Sequence, residues 1–236
     1  MSIRTIVFCV FAVGAATVFS RLGFWQVGRL RQRQASNAVI VRQQGNKPMA
    51  LSELPHDTAL SHYRPASVTG VYDFDHELVL SGRTRRGSPG VDLLTPVKIA
   101  GSDTAVLVNR GWVYSPNASQ VDRGKWREAD TARVTGYVQL FSTDTAVLSA
   151  IDPRLVRHVS HREVAAKIPY PVAPFYLVAV GDTADLRHPA RLEMPELDEG
   201  SHRSYAFQWF AFATIALVGA GIVVYREQGQ ASSEGE

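Results

Sequence analysis

The sequence predicts an integral membrane protein, with two transmembrane helices flanking a mostly-β (α+β) extramembrane domain. Three observations carry that prediction. Two uncharged apolar runs, residues 5–20 and 204–225, stand near the ends of the chain and are bracketed by arginines. Between them, short segments rich in β-branched residues are separated by Gly, Asp, Asn and Pro. The mean hydropathy of −0.07 is ordinary only because it averages the two apolar ends with the polar middle.

The first run lies between Arg4 and Arg21 and is built mainly of Val, Phe, Ala and Ile. At about 16 residues it is near the short limit for a span, which needs roughly 20. Leu22-Gly23-Phe24-Trp25-Gln26-Val27 extends it with interfacial character. Trp25 suits the headgroup level, and Arg21 can snorkel out of the apolar layer. Residues 1–28 therefore read as a first transmembrane helix with an interfacial extension. A signal peptide cleaved after Val18-Phe19-Ser20 is the alternative that composition allows. Residues 29–44 are rich in Gln and Arg, hold no breaker, and continue the helix out of the membrane.

Residues 29–203 form the extramembrane domain. After Pro48 the pattern predicts strands at 67–72, 77–81, 92–99, 105–113, 132–140 and 175–180, with turns at Asp73-Phe74-Asp75, 82–90 and Gly101-Ser102-Asp103. Two stretches read as helical. One is 117–127. The other is 153–167, where Asp152-Pro153 supplies a cap and first-turn proline and Val156, Val159 and Val164 give an apolar side. The second span, 204–225, opens on an aromatic belt of Tyr205, Phe207, Trp209, Phe210 and Phe212. Residues 226–236 are a short polar tail.

Charge and cysteine content exclude several classes. The formal net charge of +3 is too small an excess to make nucleic acid the partner. The single cysteine, Cys9, allows no intrachain disulfide, no Cys₄ or Cys₂His₂ zinc site and no CxxC redox or copper site. No hydrolase elbow, P-loop, dinucleotide fingerprint or HExxH occurs, so no enzymatic turnover is expected.

Few side chains are left that carry chemistry. The 82–90 turn holds Arg83, Arg85 and Arg86 among three glycines, which suits an anion but more simply a solvated hairpin loop. His158 and His161, three apart with Glu163 near, have metal-binding spacing but no third ligand. Asp73, Asp75, His76 and Glu77 make an acidic turn, while His56, His62 and His188 have no recognisable partners. His202 differs, standing at the mouth of the second span with Tyr205, Ala206 and Trp209 on its helical face. Two readings fit it: an interfacial histidine bonded to headgroups or backbone, or an axial ligand of haem iron with aromatic neighbours and Arg203 near a propionate. Orientation is open on residues alone. Arg21, Arg29, Arg31 and Arg33 follow the first span and only Arg4 precedes it, but long domains translocate largely regardless of such counts.

The motifs together resemble the surfeit locus protein 1 family of cytochrome c oxidase assembly factors, nearly end to end. Leu22-Gly23-Phe24-Trp25-Gln26-Val27-Gly28-Arg29 is similar to the family's L-G-x-W-Q-x-x-R, and Tyr63-Arg64-Pro65-Ala66-Ser67-Val68-Thr69-Gly70-Val71-Tyr72 to its Y-R-x-V-x-V-x-G-x-Y/F strand. Gly90-Val91-Asp92-Leu93-Leu94-Thr95-Pro96 follows G-x-x-x-x-T-P, and Val106-Leu107-Val108-Asn109-Arg110-Gly111-Trp112-Val113 matches V-L-V-N-R-G-W-V. His202-Arg203-Ser204-Tyr205-Ala206-Phe207-Gln208-Trp209-Phe210 resembles H-x-x-Y-A-x-Q-W-F. Ser201 stands where the family often has Asn, and Tyr114 where it commonly has Pro.

The resemblance implies a two-pass protein of the bacterial inner (plasma) membrane with both termini cytoplasmic and the domain periplasmic. The intact L-G-x-W-Q block then argues against cleavage after Ser20. It further implies a non-enzymatic chaperone of haem–copper oxidase biogenesis that binds haem a as transient cargo for subunit I. Its partners would be cytochrome c oxidase subunit I, haem a synthase and membrane lipid, with no nucleic acid. An oxidase-subunit scaffold that holds no haem is the alternative. His202 would ligate the iron. Arg203 and Arg29 would meet propionates, and Trp25, Tyr205 and Trp209 would flank the ring. Asn109-Arg110-Gly111-Trp112 allows two readings: a structural segment, with Gly111 allowing a bend and Trp112 filling the core, which is the one favoured, or a docking surface.

Overall fold

In the computed structural model the described residues are 1–54, 58–143, 152–181, 187–195 and 197–233. His56 lies outside them. The chain divides into two compact units, Met1–Ala38 with Leu197–Glu236, and Val39–Glu196.

The first unit is a helix hairpin. α1 (Ile3–Gln44) and α4 (His202–Ser233) are both long and apolar enough to cross a membrane. The 42 residues of α1 extend about 63 Å at 1.5 Å per residue, twice a bilayer's hydrocarbon thickness, so the helix runs on beyond any span. The helices meet along small residues. Ala12, Ala16 and Gly23 of α1 are buried, as are Ala206, Ala213 and Ala220 of α4, which recur every seven residues. Small side chains let two backbones approach where lipid provides no hydrophobic drive to associate. At Gly23 the approach is close: a Cβ there would lie 2.7 Å from the Phe210 ring. Phe24 meets Phe210 edge-on at 5.2 Å and Trp209 stacks on Phe19 at 5.7 Å. The outward faces carry exposed apolar side chains such as Phe8, Phe11, Phe207 and Ile215, as a lipid-facing surface requires.

The second unit is the β domain. In chain order its elements are β1 (Met49–Ala50), α2 (Thr58–Ser61), β2 (Pro65–Tyr72), β3 (Leu78–Arg85), β4 (Ser88–Lys98), β5 (Ala105–Tyr114), β6 (Thr131–Leu140), β7 (Leu155–Val156), α3 (His161–Lys167) and β8 (Val172–Ala179). The strands form one sheet in the order β1-β2-β6-β8-β5-β4-β3-β7. A further pairing, Val71↔Lys98 and Tyr72↔Val97, joins β2 to β4 and closes β2, β6, β8, β5 and β4 into a barrel. The β5–β8 pair is parallel and every other pair in the ring is antiparallel. Side chains from all five strands fill the interior, among them Val68, Val97, Val108, Val134, Val138 and Leu177. A second apolar layer outside the ring packs Leu78, Leu80, Leu94 and Leu107 under Val159, Val164 and Ile168. β4 and β5 are thus covered on both faces, which explains their near-continuous apolar sequence.

All six predicted strands are present within a few residues of their expected bounds. The 82–90 segment is a hairpin in which β3 runs on to Arg85 and β4 starts at Ser88. Arg86 (φ 49°) and Gly87 (φ 79°) form its tip, with both residues at the positive φ that suits the twist of the flanking strands.

The two predicted helices need correction. Residues 117–127 hold only a single 3₁₀ turn, Gly124–Trp126. The Asn117 side chain accepts from the Ser119 and Gln120 N–H groups, so a local turn replaces the helix. Residues 153–167 are helical only from His161, with Ser160 as N-cap. Upstream, the Asp152 carboxylate accepts from the Arg154 N–H, and Leu155 and Val156 pair with β3 instead. His158 and His161 therefore share no helix face. Among the described residues no three His, Cys, Asp or Glu side chains converge on a metal site.

Candidate functional site

The mouth of the helix hairpin is where helix packing places polar groups among apolar ones. Gln26 follows Gly23 by three residues on the packed face of α1 and is 9% exposed. His202 is the first residue of α4. Its Nδ1 lies 2.8 Å from Gln26 Oε1. The segment entering α4 is tied to α1, with Gln34 Nε2 donating to Glu199 Oε1 at 3.0 Å and Asn37 Nδ2 donating to the Asp198 carbonyl at 3.3 Å. Gly200 (φ 68°) makes the turn into the helix. A Cβ at that position would sit 3.6 Å from His202 Nε2, so glycine spares that edge of the ring a side-chain contact.

His202 lines a cavity of about 410 Å³ together with Arg29, Gln32, Arg33 and Ser36. Arg29 Nη1 donates to Gln32 Oε1 at 3.0 Å, which orients its guanidinium. The structure thus brings His202 and Arg29 together. Arg203 is exposed and does not line the cavity. Trp25 and Tyr205 are exposed side chains of the same helix turns, at 57% and 47%. Trp209 packs in the hairpin against Phe19 and Phe212. Gln26 and Arg33 had no site role on sequence grounds. The signal for Gln26 was its place in the Trp-Gln pair of the first motif, whose partner lies 176 residues away.

The sequence matches known proteins along most of the chain. The model of the SURF1 family matches residues 13–214. The chain belongs to the SURF1 family, which is the surfeit locus protein 1 family its motifs resemble. A SURF1-like protein of Monosiga brevicollis is 30% identical over 135 residues, 53% of this chain and 52% of that protein. An uncharacterised SURF1-like protein of Mycobacterium bovis is 27% identical over 219 residues, 89% of this chain and 79% of that one. A SURF1-like protein of Rickettsia felis is 24% identical over 220 residues, covering 89% and 92%. The SURF1 family is known generally for oxidase assembly and is not a family of enzymes.

The SURF1 strand motif Asn109-Arg110-Gly111-Trp112 lies in β5, and its core residue is Arg110, not Trp112. Arg110 has no solvent exposure and closes one end of the barrel. Its Nη2 donates to Glu77 Oε2 (2.6 Å), its Nη1 to Glu128 Oε1 and the Trp126 carbonyl (both 2.7 Å), and its Nε to Thr95 Oγ1 (2.8 Å). Phe74 and Tyr72 stack against the guanidinium at 5.0 and 5.7 Å. Trp112 is half-buried and lies over Gly90, where a Cβ would come within 2.3 Å of the indole nitrogen. Gly111 (φ 131°) makes the expected bend, and Ala190 crosses it so closely that a Cβ would be 2.4 Å from the Ala190 carbonyl oxygen.

A second cavity, about 580 Å³, opens on the outer face of the barrel and is lined in part by His62, Arg83, Asp92, Asn109, Tyr137 and Tyr176. Burial pushes the Asp92 carboxyl up, against the opposing pull of Arg83 (3.3 Å) and Asn109 (3.1 Å). Burial also pushes the His62 imidazole down and the Tyr176 hydroxyl up to about 12. The acidic turn at 73–77 is structural too: Asp73 accepts from Lys98, Tyr170 and His76, and Glu77 belongs to Arg110.

Proposed function

We propose that this SURF1 family member assists assembly of haem–copper (cytochrome c) oxidase by holding haem a at the membrane interface and passing it to subunit I. The observation that carries the reading is His202: its Nδ1 is occupied by Gln26, its Nε2 has no hydrogen-bond partner among the described residues, and it shares a cavity with Arg29 and Arg33. Haem has an apolar macrocycle and two carboxylates, so a site half in lipid and half in headgroups suits it. Iron would take the neutral imidazole. The guanidinium groups of Arg29 and Arg33 would pair with propionates, and the exposed Arg203 would be a looser third cation. Exposed Trp25 and Tyr205 offer flat apolar faces on the same turns. A single protein ligand and an open second face hold a carrier's affinity low enough for release.

The same reading places the protein in the bacterial inner membrane, with both termini cytoplasmic and the β domain periplasmic beside subunit I and haem a synthase. The test is the visible spectrum and pyridine haemochrome of protein purified from a cell that makes haem a. Wild type is expected to carry haem and His202→Ala to lose most of it while still inserting and folding. Wild-type protein without haem would leave a subunit scaffold as the function. Equal haem in wild type and His202→Ala would move the site elsewhere.

A further inference from the structure

An imidazole that binds a metal through one nitrogen must keep its proton on the other, and the group bonded to that second nitrogen sets which is which. In this hairpin that group is Gln26. Its amide is buried between the helices, where an unpaired polar group is costly, and the one hydrogen bond it makes among the described residues is to His202. The facing atom is the carbonyl oxygen Oε1, at 2.8 Å from Nδ1. A carbonyl only accepts, so Nδ1 carries the proton and Nε2 the lone pair. Nε2 makes no hydrogen bond to a described residue, and Gly200 removes the Cβ that would shade it. Register is fixed from both sides. Gly23 seats Phe210 one turn deeper, and Gln34 and Asn37 bind the 198–199 backbone and side chain on the outer side.

From this geometry we infer that Gln26 is a positioning residue that presets His202 as an Nε2 ligand before any haem arrives. The inference rests on the haem-carrier reading but adds a claim about the empty protein that haem binding does not require. An imidazole free in water favours the Nε2–H form, in which the ligating lone pair is blocked. Holding the Nδ1–H form removes that competition. An acceptor on Nδ1–H also makes Nε2 the better donor to iron, and more so if the acceptor is charged.

Two measurements test it on the full chain in detergent. Nitrogen-15 NMR of histidine-labelled, haem-free protein, with His202→Gln identifying the resonance, should show the neutral His202 ring as the Nδ1–H form, and Gln26→Met should return it to the Nε2–H form. A haem-free wild type in the Nε2–H form overturns the inference, whatever haem does. In haem titrations, Gln26→Met should weaken binding about 10–100-fold, as loss of such a supporting hydrogen bond usually does. Gln26→Glu keeps the acceptor, so it should bind at least as tightly as wild type and lower the midpoint potential of bound haem. Haem affinity in Gln26→Met within twofold of wild type, or a Glu variant as weak as the Met variant, overturns the inference. If His202→Ala binds like wild type, the assignment of the haem site to His202 fails instead, and if wild type binds no haem, the carrier reading fails; the NMR result stands apart from both.

Discussion

Replacing Arg110 by methionine tests whether the barrel end is held by charge compensation. Glu77 is 1% exposed and would keep only the hydrogen bond from Thr95 Oγ1 at 2.5 Å. Glu128, less buried, would keep its bond to Arg191 and contribute little to the loss. Leaving one buried carboxylate uncompensated costs about 3–5 kcal/mol. That is a large share of the roughly 5–15 kcal/mol a domain has in all. At an m of about 2 kcal/mol/M, the urea midpoint should fall by about 2 M with the slope unchanged. Adding Glu77→Gln to Arg110→Met removes the orphan charge and keeps an acceptor for Thr95, so the double variant should be more stable than the single by about 2 kcal/mol. Urea titration of the full chain in detergent reads this out, because Trp126, whose carbonyl accepts from Arg110, reports on the domain, and Trp25 and Trp209 report on the hairpin. A single variant costing under about 1 kcal/mol, or a double variant no better than the single, would refute the argument that ionic compensation matters at this end of the barrel.

Three further outcomes are expected. Gly111→Ala should cost about 2–3 kcal/mol, because φ 131° is strained for any side chain and Ala190 leaves no room; the same urea titration measures it. For Asp73, burial pushes the carboxyl up, but bonds from Lys98 (2.6 Å), Tyr170 (2.8 Å) and His76 (3.1 Å) outweigh it and hold the group well below the usual carboxylate range. A depressed folded value gives stability that is full above the unfolded value near 4 and lost as pH falls below it. The urea midpoint of wild type should therefore drop between pH 5 and pH 3 more steeply than that of Asp73→Asn, and equal slopes would contradict this. For topology, a periplasm-active reporter inserted at the Arg86-Gly87 tip should be active, and one fused after Gly235 should work only if it is a cytoplasmic type; the reverse pattern would invert the proposed orientation.

The two spans, the six principal strands and the family were legible in the residues because each depends on local pattern. An uncharged run long enough for a bilayer, or a β-branched segment between turn formers, keeps its meaning wherever it is placed. The 153–167 helix failed partly for a local reason, the Asp152 turn, and partly for a distant one, since Leu155 and Val156 pair with β3. Barrel closure was not legible, because the β2–β4 contact and the parallel β5–β8 pairing join segments that no short-range pattern links. The same holds for Arg110 and Gln26. An arginine in an apolar strand reads as an interruption until Glu77 and Glu128 arrive from loops elsewhere in the chain, and a glutamine at a helix mouth reads as interfacial until His202 comes opposite it. Sequence determined which segments must leave water; only the tertiary structure decided which polar groups could follow them, because burying charge or an amide is tolerable only beside partners that the fold brings together.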